Sequence, residues 1–287
     1  MDKPEGWTSH DVVNKVRRLA ATRKVGHLGT LDPIATGVLP VLIGRATRLA
    51  RFYTRNDKIY EGIIRFGYST NTYDRAGAAT SPVSEPRLTR EQIEEHLQAF
   101  RGEIQQAPPP VSAKKVGGVP AYRLARKNME VELSVVAVTV HELALIDLTG
   151  VHARVRVHCS AGTYLRAIAH ELGQALGCGA HLHELRRVAS GHFTIDAARS
   201  LPALDGLAQA NRFNDAVIPT ADLLPELPSI SVDNTTAAQI KNGRAFQASP
   251  FRPNPGARYV KALSGAGELL AIGEIRLPNV YQPVVVL

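Results

Sequence analysis

One carboxylate, Asp32, sits in the segment Gly26–Leu39 (GHLGTLDPIATGVL) among Gly26, Gly29, Gly37 and Pro33. Glycine lets the backbone take a positive φ or approach a neighbour closely, and proline fixes φ. The aspartate is therefore expected on a tightly shaped loop, not on the face of a regular element. Loops of this kind often carry binding and catalytic groups. The segment contains no Ser or Cys nucleophile and no Lys. An Asp–Pro pair is also a common turn opener in which the carboxylate caps its own backbone.

The rest of the composition bounds the partner. The chain has 287 residues, 34 Lys and Arg against 26 Asp and Glu, and a net charge of +8. That balance favours a polyanion, with nucleic acid as the first candidate. Residues 1–60 carry eleven basic groups against five acidic ones, and residues 112–128 (SAKKVGGVPAYRLARKN) carry five basic groups and no acidic one. The two cysteines, Cys159 and Cys178, form no CxxC pair and no disulfide framework, and are expected as thiols in a cytoplasmic protein. No apolar run approaches the ~20 residues of a membrane span, and the opening MDKPEGWTSHDVV has no apolar signal region. The ten histidines form neither HExxH nor a Cys/His cluster; His181 and His183 in GAHLHELRR give only a faint metal hint, and no metal centre is expected.

The elements that must position Asp32 follow from periodicity. Thr8 or Ser9 caps a helix from about His10 to Ala21, with Val12, Val13, Val16 and Leu19 on one face. VLPVLIGRATRLARFY passes from a strand into a basic helix, residues 58–68 read as a strand, and 69–77 as turns. Thr89 and Gln92 form a capping box ahead of Ile93, Leu97 and Phe100. From Val151 to Ser160 apolar and polar residues alternate, the pattern of a strand with one buried face. Tyr164 to Leu176 has helical spacing, ended by Gly177. Alternating strands interleaved with helices predict an α/β (α+β) fold with a mixed sheet. The proline-rich stretch near 219–229 suggests a boundary, and the short strands beyond it a small β-barrel.

The whole Gly26–Leu39 string, with four further motifs, resembles the tRNA pseudouridine-55 synthases of the bacterial TruB type. The other motifs are Lys3-Pro4 with Gly6–Ser9, Lys58-Ile59-Tyr60, Ser160–Arg166 (SAGTYLR) and Leu185-Arg186-Arg187. The resemblance covers essentially the whole chain and implies roles for particular residues. Asp32 is then the catalytic carboxylate, and Arg166 its ion-pair partner. Tyr60 stacks on the uracil and assists proton transfer, and Tyr164 lines the uridine pocket. Leu185 closes against the base, His27 touches flipped-out RNA, and Lys3 is grouped with the substrate-binding residues while its motif helps to shape the site. The basic segment resembles an RNA-gripping thumb carrying Lys114, Lys115, Tyr122, Arg123 and Arg126. Read without the resemblance, Tyr60 and Leu185 are core, Arg166 a solvated helix residue and His27 surface.

The implied fold is a pseudouridine synthase catalytic domain over 1–225 with a thumb inserted at about 108–130, then a PUA-like RNA-binding domain over 228–287. The implied reaction isomerises uridine 55 in the T-loop of tRNA with no cofactor. Asp32 either attacks C1′ or takes the C2′ proton, and the residues leave both open. The implied partner is tRNA, through its T-loop and acceptor arm, with a monomer expected, no obligate protein partner and no membrane. A non-catalytic tRNA-folding protein of the same fold, or a relative working in a guide-RNA particle, are the alternatives. Two departures stand out: only Met1-Asp2 precede Lys3 where the family has a short apolar strand, and Asn128 stands where glycine is common.

Overall fold

The computed structural model describes residues 1–111, the backbone of 115–116 and 119–120, and residues 134–249 and 256–287. In chain order it contains β1 (Asp2–Lys3), α1 (Ser9–Leu19), β2 (Val25–His27), β3 (Ala35–Val38), β4 (Val41–Ile43), a 3-10 stretch (Gly44–Phe52), β5 (Lys58–Phe66), α2 (Arg90–Leu97) and β6 (Gly102–Gln106). The short β7 (Lys115–Val116) and β8 (Val119–Pro120) pair with each other. Then come β9 (Val136–Thr149), β10 (His152–Cys159), α3 (Leu165–Ala175), β11 (Ala180–Ser190), β12 (Phe193–Thr194) and α4 (Leu201–Gln209). The last elements are β13 (Ser229–Ser231), α5 (Asn234–Lys241), β14 (Phe246–Gln247), β15 (Tyr259–Leu263), β16 (Leu269–Leu277) and β17 (Val280–Val286). The chain groups into two compact units: Met1–Val12, Gly29–Pro40 and Arg55–Leu201 form one, and Val13–Leu28, Val41–Thr54 and Pro202–Leu287 the other.

The first unit is organised by an eight-stranded sheet in the order β1-β3-β11-β5-β10-β9-β6, with β12 beside β11. It is mixed, as the alternation predicts: β3 runs parallel to β11, with Leu185 opposite Ala35, and its other neighbours are antiparallel. Period-2 burial is strict in β5, where Lys58, Tyr60, Gly62, Ile64 and Phe66 face inward. In β10 the apolar set Ala153, Val155, Val157 and Cys159 is buried. Helix α3 lies on β11 and buries Leu165, Ile168 and Leu172. Each of these side chains contributes roughly 2 kcal/mol of transfer free energy. The helix end approaches the strand so closely that a Cβ on Gly173 would lie 2.1 Å from the Ala180 nitrogen. Gly177 ends the turn at φ +70°, and Thr89 and Gln92 form the expected capping box.

The structure departs from the sequence reading in three places. The glycine-rich segment read as one loop holds β2 and β3, with only residues 28–34 irregular between them. The basic stretch after β4 is 3-10 rather than α-helical. The strand β11, inside the sheet between β3 and β5, has its apolar and basic residues interleaved and gave no clean period. Gly37 explains why β3 reads as loop. Its φ is +100°, and a Cβ there would sit 2.2 Å from the Arg187 carbonyl oxygen, so only glycine lets β3 lie against β11. Gly37→Ala is expected to destabilise the protein by at least about 3 kcal/mol. A chemical denaturation midpoint within experimental error of wild type would contradict this.

The second unit holds a five-stranded sheet in the order β13-β15-β16-β17-β14. Its core is Ile240, Phe246, Val260, Ala262, Leu270, Ala271 and Tyr281. The buried Lys261 donates to the carbonyls of Ala221 (2.8 Å) and Leu223 (3.0 Å), so its ammonium is satisfied without a carboxylate. The sheet is consistent with a PUA-like half-barrel. Among the described residues no helix is long and apolar enough to cross a membrane.

Candidate active site

Asp32 lies in the irregular stretch between β2 and β3, as its glycine and proline neighbours predict. Arg166 comes from the first turn of α3. Its Nε is 2.9 Å from Asp32 Oδ2, with the Asp32 side chain 37% exposed and that of Arg166 only 5%. An anion reachable from solvent is thus backed by a buried cation. Such an arrangement keeps a carboxylate aimed.

The guanidinium is held through its two terminal nitrogens. Nη1 donates to the Thr72 carbonyl (3.0 Å), Nη2 donates to the Val111 carbonyl (2.9 Å), and Asp74 Oδ2 lies 3.7 Å from Nη1. Asp74 is itself buried and fixed, its Oδ1 accepting from the Thr72 hydroxyl (2.6 Å) and the Ala76 N–H (3.0 Å). The turn 69–77 therefore serves as a cradle for Arg166. Asp74 was missed in the sequence because a lone Asp in a turn normally caps its own backbone. The start of α3 is held as well. The Tyr164 N–H donates to Gln106 Oε1 (2.7 Å), and Gln106 Nε2 donates back to the Tyr164 carbonyl (3.1 Å).

Two buried cations fix the Asp32 loop from behind. Arg187, 1% exposed, donates through Nε to the Val38 carbonyl (2.7 Å) and through Nη2 to the Gly29 carbonyl (3.0 Å). It clasps the loop on both sides of Asp32, and its charge lies close to the Tyr60 phenol. Lys3, expected with the substrate-binding residues, is fully buried, so its contact is with the loop. Its Nζ donates to the carbonyls of Trp7 (2.6 Å), Pro4 (2.9 Å) and Pro33 (3.4 Å), the last being the residue after Asp32.

Burial lowers the Lys3 ammonium to about 8, with the nearby Asp32 charge opposing the drop. The unfolded chain keeps the ordinary lysine value near 10.5 and so binds more protons than the native state between about pH 8 and 10.5. Stability then rises with pH through that window. Wild type is expected to gain stability relative to Lys3→Met as pH is raised from 7.5 to 10. A difference that stays flat or falls in paired urea titrations would contradict it.

The remaining expected residues are placed as follows. Tyr60 is 7% exposed on the inner face of β5, and burial raises its phenol pKa, so it stays protonated. Leu185 on β11 is half-buried and lines a cavity of about 280 Å³ with Ile34, Thr36, Glu61, Ile63 and Arg186; Asp32 does not line it. Tyr164 is half-buried at the start of α3, and His27 is half-buried in β2. Lys115 lies in β7, but its side chain, with Lys114, Tyr122, Arg123 and Arg126, falls outside the described residues.

Comparison with known proteins shows the family. Residues 17–165 match the TruB family pseudouridylate synthase N-terminal domain, and residues 166–224 the tRNA pseudouridylate synthase B C-terminal domain. The chain is 64% identical to the tRNA pseudouridine synthase B of Solibacter usitatus, covering 100% of this chain and 98% of that protein. It is 42% identical to the enzyme of the same name from Aromatoleum aromaticum, over 96% of this chain and 87% of that one. A chain from a Cbf5-Nop10-Gar1 complex superimposes with a TM-score of 0.70 at 26% identity, covering 97% of this chain and 78% of its own length. The matches span both the Asp32 loop and the helix that carries Arg166, and the chain belongs to the TruB family of pseudouridine synthases.

Proposed function

We propose that this pseudouridine synthase isomerises uridine 55 in the T-loop of tRNA, with Asp32 as the reacting carboxylate. The observation that carries the reading is Asp32 held 2.9 Å from the buried Arg166, on a loop clasped from behind by Arg187 and Lys3. Pseudouridine formation breaks the C1′–N1 bond, rotates the uracil, joins C1′ to C5, and moves the C5 proton to solvent while N1 regains one. It needs no redox step and no atom from outside. It does need an ionised carboxylate fixed beside the ribose, by attack at C1′ or by removal of the C2′ proton.

The other roles follow from the same reading. Arg166 keeps Asp32 oriented. Tyr60, a protonated phenol, faces the uracil, Tyr164 and Leu185 enclose the base, and His27 meets the flipped-out strand. A uridine inside a folded RNA has to leave its stack, and aromatic contact favours the extruded state. The thumb at about 108–130, with Lys114, Lys115, Tyr122, Arg123 and Arg126, suits phosphate contact with stacking. Catalytic residues occupy 1–225, and the domain over 228–287 binds the acceptor arm. Tritium release from a T-arm hairpin labelled at uridine C5 tests the substrate. Release from the uridine-55 hairpin and none from its cytidine-55 counterpart is expected, whereas equal release from both would overturn the position.

A further inference from the structure

Away from Asp32, one group of side chains has no part in the proposed reaction. Among the described residues, Asp57, His141 and His158 form a group of donors whose ligand atoms all lie within 4.8 Å of one another. Asp57 immediately precedes β5, His141 is on β9 and His158 on β10. Asp57 Oδ2 is 3.2 Å from His141 Nε2 and 3.6 Å from His158 Nε2. The two imidazole centroids are 4.7 Å apart with planes inclined at 46°.

The convergence has a backbone cause. Along most of their pairing β9 and β10 match residue for residue, but His158 stands opposite Glu142 and Cys159 opposite Val140. His141 is therefore the extra residue of a β-bulge, and a bulge re-aims the side chain it carries. Without it, strict alternation would leave His141 on a different face from its present neighbours.

We propose that Asp57, His141 and His158 form a binding site for a borderline divalent transition cation of the zinc type. Tetrahedral Zn²⁺ with nitrogen and oxygen ligands at about 2.0–2.1 Å has ligand–ligand edges of about 3.3 Å. The two distances from Asp57 Oδ2 bracket that edge, and the separation between the two imidazole donors, within 4.8 Å, has to close by side-chain rotation. Two imidazoles select against Mg²⁺ and Ca²⁺, which take oxygen ligands. The side chains of Asp57, His141 and His158 are 44%, 39% and 37% exposed, so an ion can enter and water can fill the fourth position. An ordinary His–Asp ion-pair cluster is the competing account, and it needs no metal. Sequence spacing gave no sign of the site because its three residues come from separate parts of the chain.

The test is titration of the chelator-stripped full-length protein with Zn²⁺ by calorimetry, with competition by a chromophoric chelator. One equivalent is expected to bind, and Mg²⁺ is not. Loss of a metal ligand should cost at least what loss of its supporting partner costs, so His141→Ala and Asp57→Asn should each weaken binding by about 100-fold or more. His10→Ala, on the exposed start of α1, should leave it unchanged. As a second readout on the wild-type protein, Zn²⁺ should shift the imidazole resonances of His141 and His158 together. Absence of Zn²⁺ binding, or binding unchanged in His141→Ala/His158→Ala, would overturn the site, as would shifts confined to other histidines.

Discussion

Asp32→Asn is expected to reduce isomerisation by at least about 10⁴-fold, to the background of the assay, while leaving tRNA affinity within about threefold of wild type. The amide is isosteric but is neither a nucleophile at C1′ nor a base for the C2′ proton, so both routes are lost together. Binding survives because the substitution removes one negative charge from a protein that binds a polyanion. The fold survives as well. Arg166 keeps its bonds to the Thr72 and Val111 carbonyls, and Asp74 remains 3.7 Å away. Filter binding and tritium release on the same preparation check both halves. A variant retaining a tenth of wild-type turnover would remove Asp32 from the chemistry.

Arg166→Lys should have the second-largest effect, a fall in kcat of at least about 100-fold with a smaller change in KM. Arginine here donates from Nη1 and Nη2 to the Thr72 and Val111 carbonyls and so holds its charge, through Nε, 2.9 Å from Asp32. A lysine ammonium reaches at most part of that set from a different position, and at this burial it leaves carbonyls unpaired. Each buried carbonyl left without a donor costs about 1–3 kcal/mol, so a fall in stability should accompany the loss of rate. The split between kcat and KM separates orientation of Asp32 from general unfolding. A purely structural role would lower the amount of folded enzyme and leave the kcat of the folded fraction near wild type.

How far the site was legible in the sequence depends on the residue. Helix caps and alternation are local codes, so α2, α3 and β10 stood out from Thr89/Gln92, Gly177 and the Val151–Ser160 pattern. The irregular stretch around Asp32 was legible from its glycines and proline, but the strands β2 and β3 on either side of it were not. The contact between Asp32 and Arg166 joins residues far apart in the chain. Periodicity alone leaves an arginine at the start of a helix solvated, and only the family resemblance paired the two. Arg187 and Asp74 were harder still. A basic residue in a strand reads as outward-facing, yet Arg187 is buried because the carbonyls of Gly29 in the loop and Val38 in β3 take its donors. Gly37 shows the same limit from the backbone side. It read as loop chemistry, and its actual constraint is the close passage of β3 beside Arg187.

The measurement that bears most directly on the central claim is pseudouridine mapping on an unmodified tRNA transcript incubated with the full-length protein and no added cofactor. Carbodiimide labelling followed by primer extension would locate each modified uridine, with Asp32→Asn run alongside. The account predicts one new stop, at uridine 55, with wild type and none with the variant. A stop at 55 from both proteins, or none from wild type despite retained tRNA binding, would contradict it.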